Sequence, residues 1–181
     1  MLTSTGAGEG RQDKGKHMRG LREIKALMVA CLALYPLVVA FGNITDREAN
    51  FVFLQHVMSM DTTFPDNPLM YRAVTSPTLQ RLAFALIVAF EALCGLALAW
   101  GAIALWGARR ASAAAFAAAK RWTAIGCFLG FLVWFVGFLV IAGEWFAMWQ
   151  SEHWNGQEAA FRFVVTIVLV MIFVLQPEER G

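Results

Sequence analysis

The stretch QRLAFALIVAFEALCGLALAWGAIALW, residues 80–106, decides the class of this protein. It carries two charges, Arg81 at its start and Glu91 in its interior. About 20 apolar residues in an α-helix cross a bilayer core of about 30 Å, and this run is longer than that. Three comparable runs accompany it, about Ile24 to Gly42, Trp122 to Trp149 and Ala159 to Leu175. The whole chain agrees, with 59% hydrophobic and 15% charged residues and a mean hydropathy of +0.56. The expected fold is therefore an all-α integral membrane protein, a bundle of four transmembrane helices.

Outward from these runs, the breakers set the boundaries. Pro77 precedes the second span, and Pro177 follows the fourth. Pro36 lies inside the first, where its missing amide donor predicts a kink near Tyr35. That first run is too long for a signal-peptide core and has no A-x-A site after it, so it reads as a retained span. Residues 1–20 are Gly-rich and basic without an apolar run, the composition of a disordered tail. The four-span domain then occupies 21–177, and 178–181 form a C-terminal end.

Basic residues give the orientation. Arg11, Lys14, Lys16, Arg19, Arg22 and Lys25 precede the first span, and Arg109, Arg110, Lys120 and Arg121 join the second to the third. The opposite side holds Arg47, Arg72, Arg81 and Arg162. Positive-inside bias predicts both termini in the cytoplasm. Trp106 and Trp122 would then mark the inner interface, with Trp145, Trp149 and Trp154 at the outer one. A net charge of +2 gives no field suited to nucleic acid. Cys31, Cys94 and Cys127 sit in apolar runs without a CxxC, as small buried hydrophobes do.

The outer segment from Asn43 to Leu79 is predicted to be ordered. Its first part, Arg47 to Met60, has helical periodicity, with Phe51, Phe53, Leu54, Val57, Met58 and Met60 on a broad apolar face. Glu48, Gln55, His56 and Ser59 share the opposite arc. Such a short amphipathic helix lies in the interface or packs on the bundle. The Asp, Asn and Pro residues of Asp61 to Pro68 dictate turns after it.

Three groups of residues are candidates for chemistry. Glu91 is predicted about ten residues into its span, roughly 15 Å deep and near the midplane. A carboxylate there is costly unless protonated or paired, so it reads as a relay, a pairing site or a group bonded within the bundle. On the outer face His56, Asp61, Asp66, Glu144, Trp145, Trp149 and His153 form a second candidate site. Histidines and carboxylates suit metal ions, but the spacing matches no metal motif, and whether a metal binds is left open. A hydrogen-bonded cap that fixes the loop is the plainer reading. Gly126, Gly130 and Gly137 make a small-residue track for close helix packing, inside the bundle or with a partner. No GxGxxG, P-loop, HExxH or GxSxG is present, so neither an enzyme nor a cofactor is expected.

Two outer segments carry a resemblance. His56-Val57-Met58-Ser59-Met60-Asp61-Thr62-Thr63-Phe64-Pro65-Asp66-Asn67 and Gly143 to Gln157 resemble the domain-of-unknown-function 2165 family of small bacterial membrane proteins. The resemblance covers about Leu21 to Pro177. It implies a four-span protein of the bacterial inner membrane and no activity. With no catalytic groups and an ordered, aromatic outer face, the expected role is an accessory subunit or assembly factor of a larger respiratory or photosynthetic complex. Its partners would be the lipid bilayer and other membrane subunits. The alternative is a small-ligand or metal-binding membrane protein that uses the outer His/Glu cluster.

Overall fold

The structure, a computed structural model, describes residues 5–178, with side chains from Met18 onward. Helix α1 spans Thr5–Thr45, α2 Arg47–Ser59, α3 Pro77–Ala108, α4 Ala113–Ala119, α5 Arg121–Phe131 and α6 Gln157–Leu175. A π-helical segment, Leu132–Trp145, continues α5, and 3-10 turns cover Met70–Arg72 and Met148–Gln150. No strand occurs among the described residues.

Four stretches are long and apolar enough to cross a membrane: Met18–Thr45, Pro77–Ala108, Ala113–Trp145 and Gln157–Leu175. Large apolar side chains also project outward along them, Leu34, Val38, Leu96 and Ile103 among others. In water such a surface is an aggregation liability, whereas in a bilayer it faces lipid. The chain is an integral membrane bundle. The end where α1 begins and α6 stops is called here the terminal face, and the opposite end the loop face.

The helices differ from expectation at two places. Residues from Thr5 to Gly20, expected as a disordered tail, are helical and continuous with the first span. Once a span is formed, each added residue costs only its own ordering, so a helix propagates past its apolar core. The second difference is the π-helix, where an α-helix was expected. It ends with the amide of Phe146 donating to the carbonyl of Ile141 at 3.0 Å, five residues back, and the next residue, Ala147, turns left-handed at φ 51°. π geometry occurs mostly as short bulges at functional sites, so a run of this length is unusual.

Helix α3 is central. It packs along α1 on one side and α5 on the other, while α6 packs on α5 and the π-helix and meets α1 more sparingly. Small residues let α3 and α5 touch. A Cβ on Gly101 would lie 2.7 Å from Thr123 Oγ1, and one on Gly126 would lie 2.6 Å from Leu98 Cγ. The thiol of buried Cys94 donates to the carbonyl of Gly126 at 3.2 Å across the same seam. Gly130 packs toward Ile167 of α6, but a Cβ on Gly137 would meet only the Leu132 carbonyl oxygen of its own segment, at 3.7 Å. The glycine track therefore packs within the bundle at two of its three positions.

Candidate functional site

Helix α2 caps the loop face. Its apolar side turns inward, with Phe51, Val57 and Met58 buried. Phe51 meets Phe84 of α3 edge-on at 5.7 Å, and Phe53 lies 6.4 Å from Phe138 of the π-helix. Met60, left-handed at φ 53°, ends the helix and turns the chain. The return segment is tied down by Val74, whose amide donates to Met58 at 2.7 Å, and by buried Gln80, which donates to Ser59 Oγ and the Val74 carbonyl.

Beneath this cap the helices do not close. A cavity of about 650 Å³ lies among α1, α2, α3, the π-helix and α6. That is the size of an ordinary small-molecule site. From the π-helix it is lined by Val133, Gly137 and Ile141, a row that steps by four residues, and by Phe146 just beyond. Among its lining side chains only Tyr35, Asn43, Asn50, Glu91 and Trp134 carry nitrogen or oxygen.

Glu91 opens on this cavity. It is 2% exposed, and Asn43 Nδ2 donates to its Oε2 at 2.7 Å. Among the described residues the carboxyl makes no other hydrogen bond, which leaves Oε1 available to a bound group. The depth expected for Glu91 needs correction. Its partner Asn43 lies 18 residues beyond Lys25, about 27 Å along α1 at 1.5 Å per residue. In a layer of about 30 Å that is near the loop-face boundary, not the midplane. Helix α3 starts well beyond the end of α1, beside α2, so counting from Gln80 overestimates the depth.

The loop-face residues singled out in the sequence do not converge on one point. His56 Nδ1 sits 3.0 Å from both oxygens of Asp61, and its ring stacks on Trp154 at 4.5 Å. The Glu144 and Trp145 backbone carbonyls receive Arg72 Nη1 at 3.5 and 3.3 Å, and that guanidinium lies over the Trp145 ring. Trp149 meets Phe64 edge-on at 5.7 Å, and the neighbouring Gln150 Oε1 accepts from the Phe64 amide and Asn67 Nδ2, both at 3.1 Å. Asp66 and His153 are exposed. No three His, Cys, Asp or Glu side chains gather closely enough for a metal ion among the described residues. The arrangement fixes the loop.

An ionic cluster at the terminal face escaped the sequence reading. Glu178 binds Lys25 Nζ at 2.9 Å, Lys120 Nζ at 2.6 Å and Arg22 Nε at 3.2 Å. Lys120 also donates to the Gln176 carbonyl at 2.6 Å, and Arg22 to that of Ala111 at 2.8 Å. Burial alone would raise the Glu178 carboxyl, but the hydrogen bonds and charges of its basic partners hold it down at about 2. The only sequence signal was that basic residues flank two spans and an acid follows Pro177.

No curated protein and no solved structure matches the chain. The chain nonetheless belongs to a known group, the domain-of-unknown-function 2165 family of predicted small integral membrane proteins, which matches residues 21–177.

Proposed function

We propose that this protein is a membrane-embedded binding protein that holds a hydrophobic molecule with one compact polar head. The observation that carries the reading is the cavity with a single carboxyl at its wall. A buried carboxyl in contact with hydrocarbon is costly, and a polar ligand head on Oε1 offsets that cost. The rest of the wall is aliphatic and aromatic, suited to a chain or ring. The reading assigns no chemical step to the protein. Extraction of the purified protein in mild detergent, followed by mass spectrometry of bound small molecules, tests it. Wild type should retain a hydrophobic molecule that a Glu91→Ala variant retains roughly tenfold less. Equal retention would overturn the reading.

A second reading, an accessory subunit or assembly factor of a bacterial inner-membrane complex with cytoplasmic termini, rests on a different observation. Tyr71, Phe64, Trp145 and Trp149 are all exposed on the loop face, and aromatic residues are enriched at protein interfaces. Stoichiometric partner subunits in a mild-detergent preparation from native membranes support it. A chain that emerges alone counts against it.

A further inference from the structure

The bundle has a second large concavity, a groove of about 760 Å³ between α1 and α6. Ile24, Leu27, Met28 and Cys31 line it from α1, and Phe163, Thr166 and Val170 from α6. It lies along two spans that touch only sparingly. At the terminal face the ionic cluster ties Glu178, just past the end of α6, to Arg22 and Lys25 of α1. At its loop-face end stands Arg162, largely exposed and paired with Glu158 at 3.8 Å.

This groove and the cavity beneath the cap adjoin. Tyr35 and Ala159 line both. Between them stands an aromatic partition: the Tyr35 ring stacks on Phe163 at 3.8 Å and meets Trp134 edge-on at 5.8 Å, and Trp134 meets Phe163 at 4.4 Å. Tyr35 directly precedes Pro36, where α1 lacks one backbone hydrogen bond and bends at less cost. Tyr35 has no side-chain hydrogen bond among the described residues, so nothing polar holds the ring shut.

We infer that the two concavities are one path, in which an amphiphile from the bilayer enters sideways between α1 and α6 past Tyr35. Its head reaches Glu91 and Asn43, the near part of its hydrocarbon chain fills the cavity, and the rest trails into the groove. This rests on the binding function proposed above and names the ligand class. The head is uncharged and carries both a donor and an acceptor, as an alcohol or phenol does. Glu91 accepts, Asn43 donates, and no cation lines the cavity to receive a phosphate or carboxylate. A single alkyl chain suits the groove, whose apolar lining runs eight residues of α6 from Arg162 to Val170, about 12 Å.

Photolabelling of the full-length protein in phosphatidylcholine vesicles tests this, with a diazirine-bearing hexadecanol as the probe and peptide mapping as the readout. Label should appear at groove residues near Met28 and at cavity residues near Ile87 and Phe138. Ala159→Phe, an exposed position whose larger ring fills the junction, should lower cavity labelling roughly tenfold, with label near Met28, toward the other end of the groove, still present. Tyr35→Ala should do the opposite, speeding cavity labelling. Cavity labelling indifferent to both substitutions overturns the lateral route while the binding function stands. Absence of cavity labelling in wild type and in Tyr35→Ala overturns both. The opposite signs expected of the two variants separate a blocked path from a misfolded one.

Discussion

The two ends of this bundle handle a buried carboxylate in opposite ways. At the terminal face, Glu178 has three cations within 3.2 Å, and its site is closed. At the loop face, Glu91 has one neutral partner and opens on a cavity. A closed, fully paired carboxylate holds helices together. An under-partnered one on a cavity wall is poorly suited to holding them and well suited to meeting a ligand. The contrast separates scaffold from site without any recourse to motif.

Removing the two acids should therefore give opposite results, and Glu178 should give the larger. Glu178→Ala leaves Lys25 and Lys120 buried without a counter-charge, an arrangement that costs about 3–5 kcal/mol. Thermal or denaturant unfolding in detergent reads this directly. The same cluster predicts a pH dependence. The carboxyl is held at about 2, below its ordinary 4.5, so the folded state binds its proton less readily than the unfolded state. Its contribution, about 3 kcal/mol, is fully present above pH 4.5 and fades as pH falls toward 2. A Glu178→Gln variant should lack that fall. Unchanged stability in Glu178→Ala would remove the scaffold half of the comparison.

Glycines sharpen the same contrast at a smaller scale. Gly126→Ala places a Cβ 2.6 Å from Leu98 Cγ and 2.9 Å from its backbone nitrogen. Backbone cannot yield as a side-chain tip can, so the expected loss is about 1–3 kcal/mol. Gly137→Ala meets only the Leu132 carbonyl oxygen, at 3.7 Å, and should fold as wild type does. Equal losses at both positions would show that the space beside Gly137 closes in the folded protein.

These features were unequally legible in the sequence. Four spans follow from hydropathy, and α2 from its apolar periodicity, within one residue of its observed end at Ser59. The π-helix was not legible because LVWFVGFLVIAGEW is apolar on nearly every side, which leaves no phase to read. Glu91 stood out as a charge in hydrocarbon, but its depth depends on how far α3 projects past α1, a tertiary fact. Glu178 carried no signal beyond following Pro177, because its partners lie more than fifty positions away. The cavity belongs to no single helix. It arises where the cap, the π-helix and three spans fail to meet, and no local pattern encodes a gap.

Glu91 and Asn43 should be replaceable at little cost to the fold. The double variant Glu91→Leu/Asn43→Leu removes an acid and its one partner together, and such exchanges are often neutral or stabilising by about 1 kcal/mol. Retention of the bound amphiphile should nevertheless fall roughly tenfold. Stability near wild type together with lost ligand is the signature of a site. A loss of several kcal/mol would instead make the pair structural, and the two ends of the bundle would then be alike.

The smallest effect is expected at the loop-face pair of His56 and Asp61. Both side chains are a third or more exposed, and exposed ion pairs contribute at most about 1 kcal/mol. His56→Ala also gives up the stacking on Trp154, which is worth about as much again at most. The fold should survive with a slightly lower melting temperature, and ligand retention in the cavity should not change. This variant bears on the alternative that the loop face holds a metal. A site of three ligands would bind zinc and raise the melting temperature of wild type with the logarithm of free metal, and His56→Ala would abolish that rise. The structure pairs His56 with a single acid, so added zinc should leave wild type and His56→Ala equally unmoved, and a selective rise in wild type would relocate the site from the cavity to its roof.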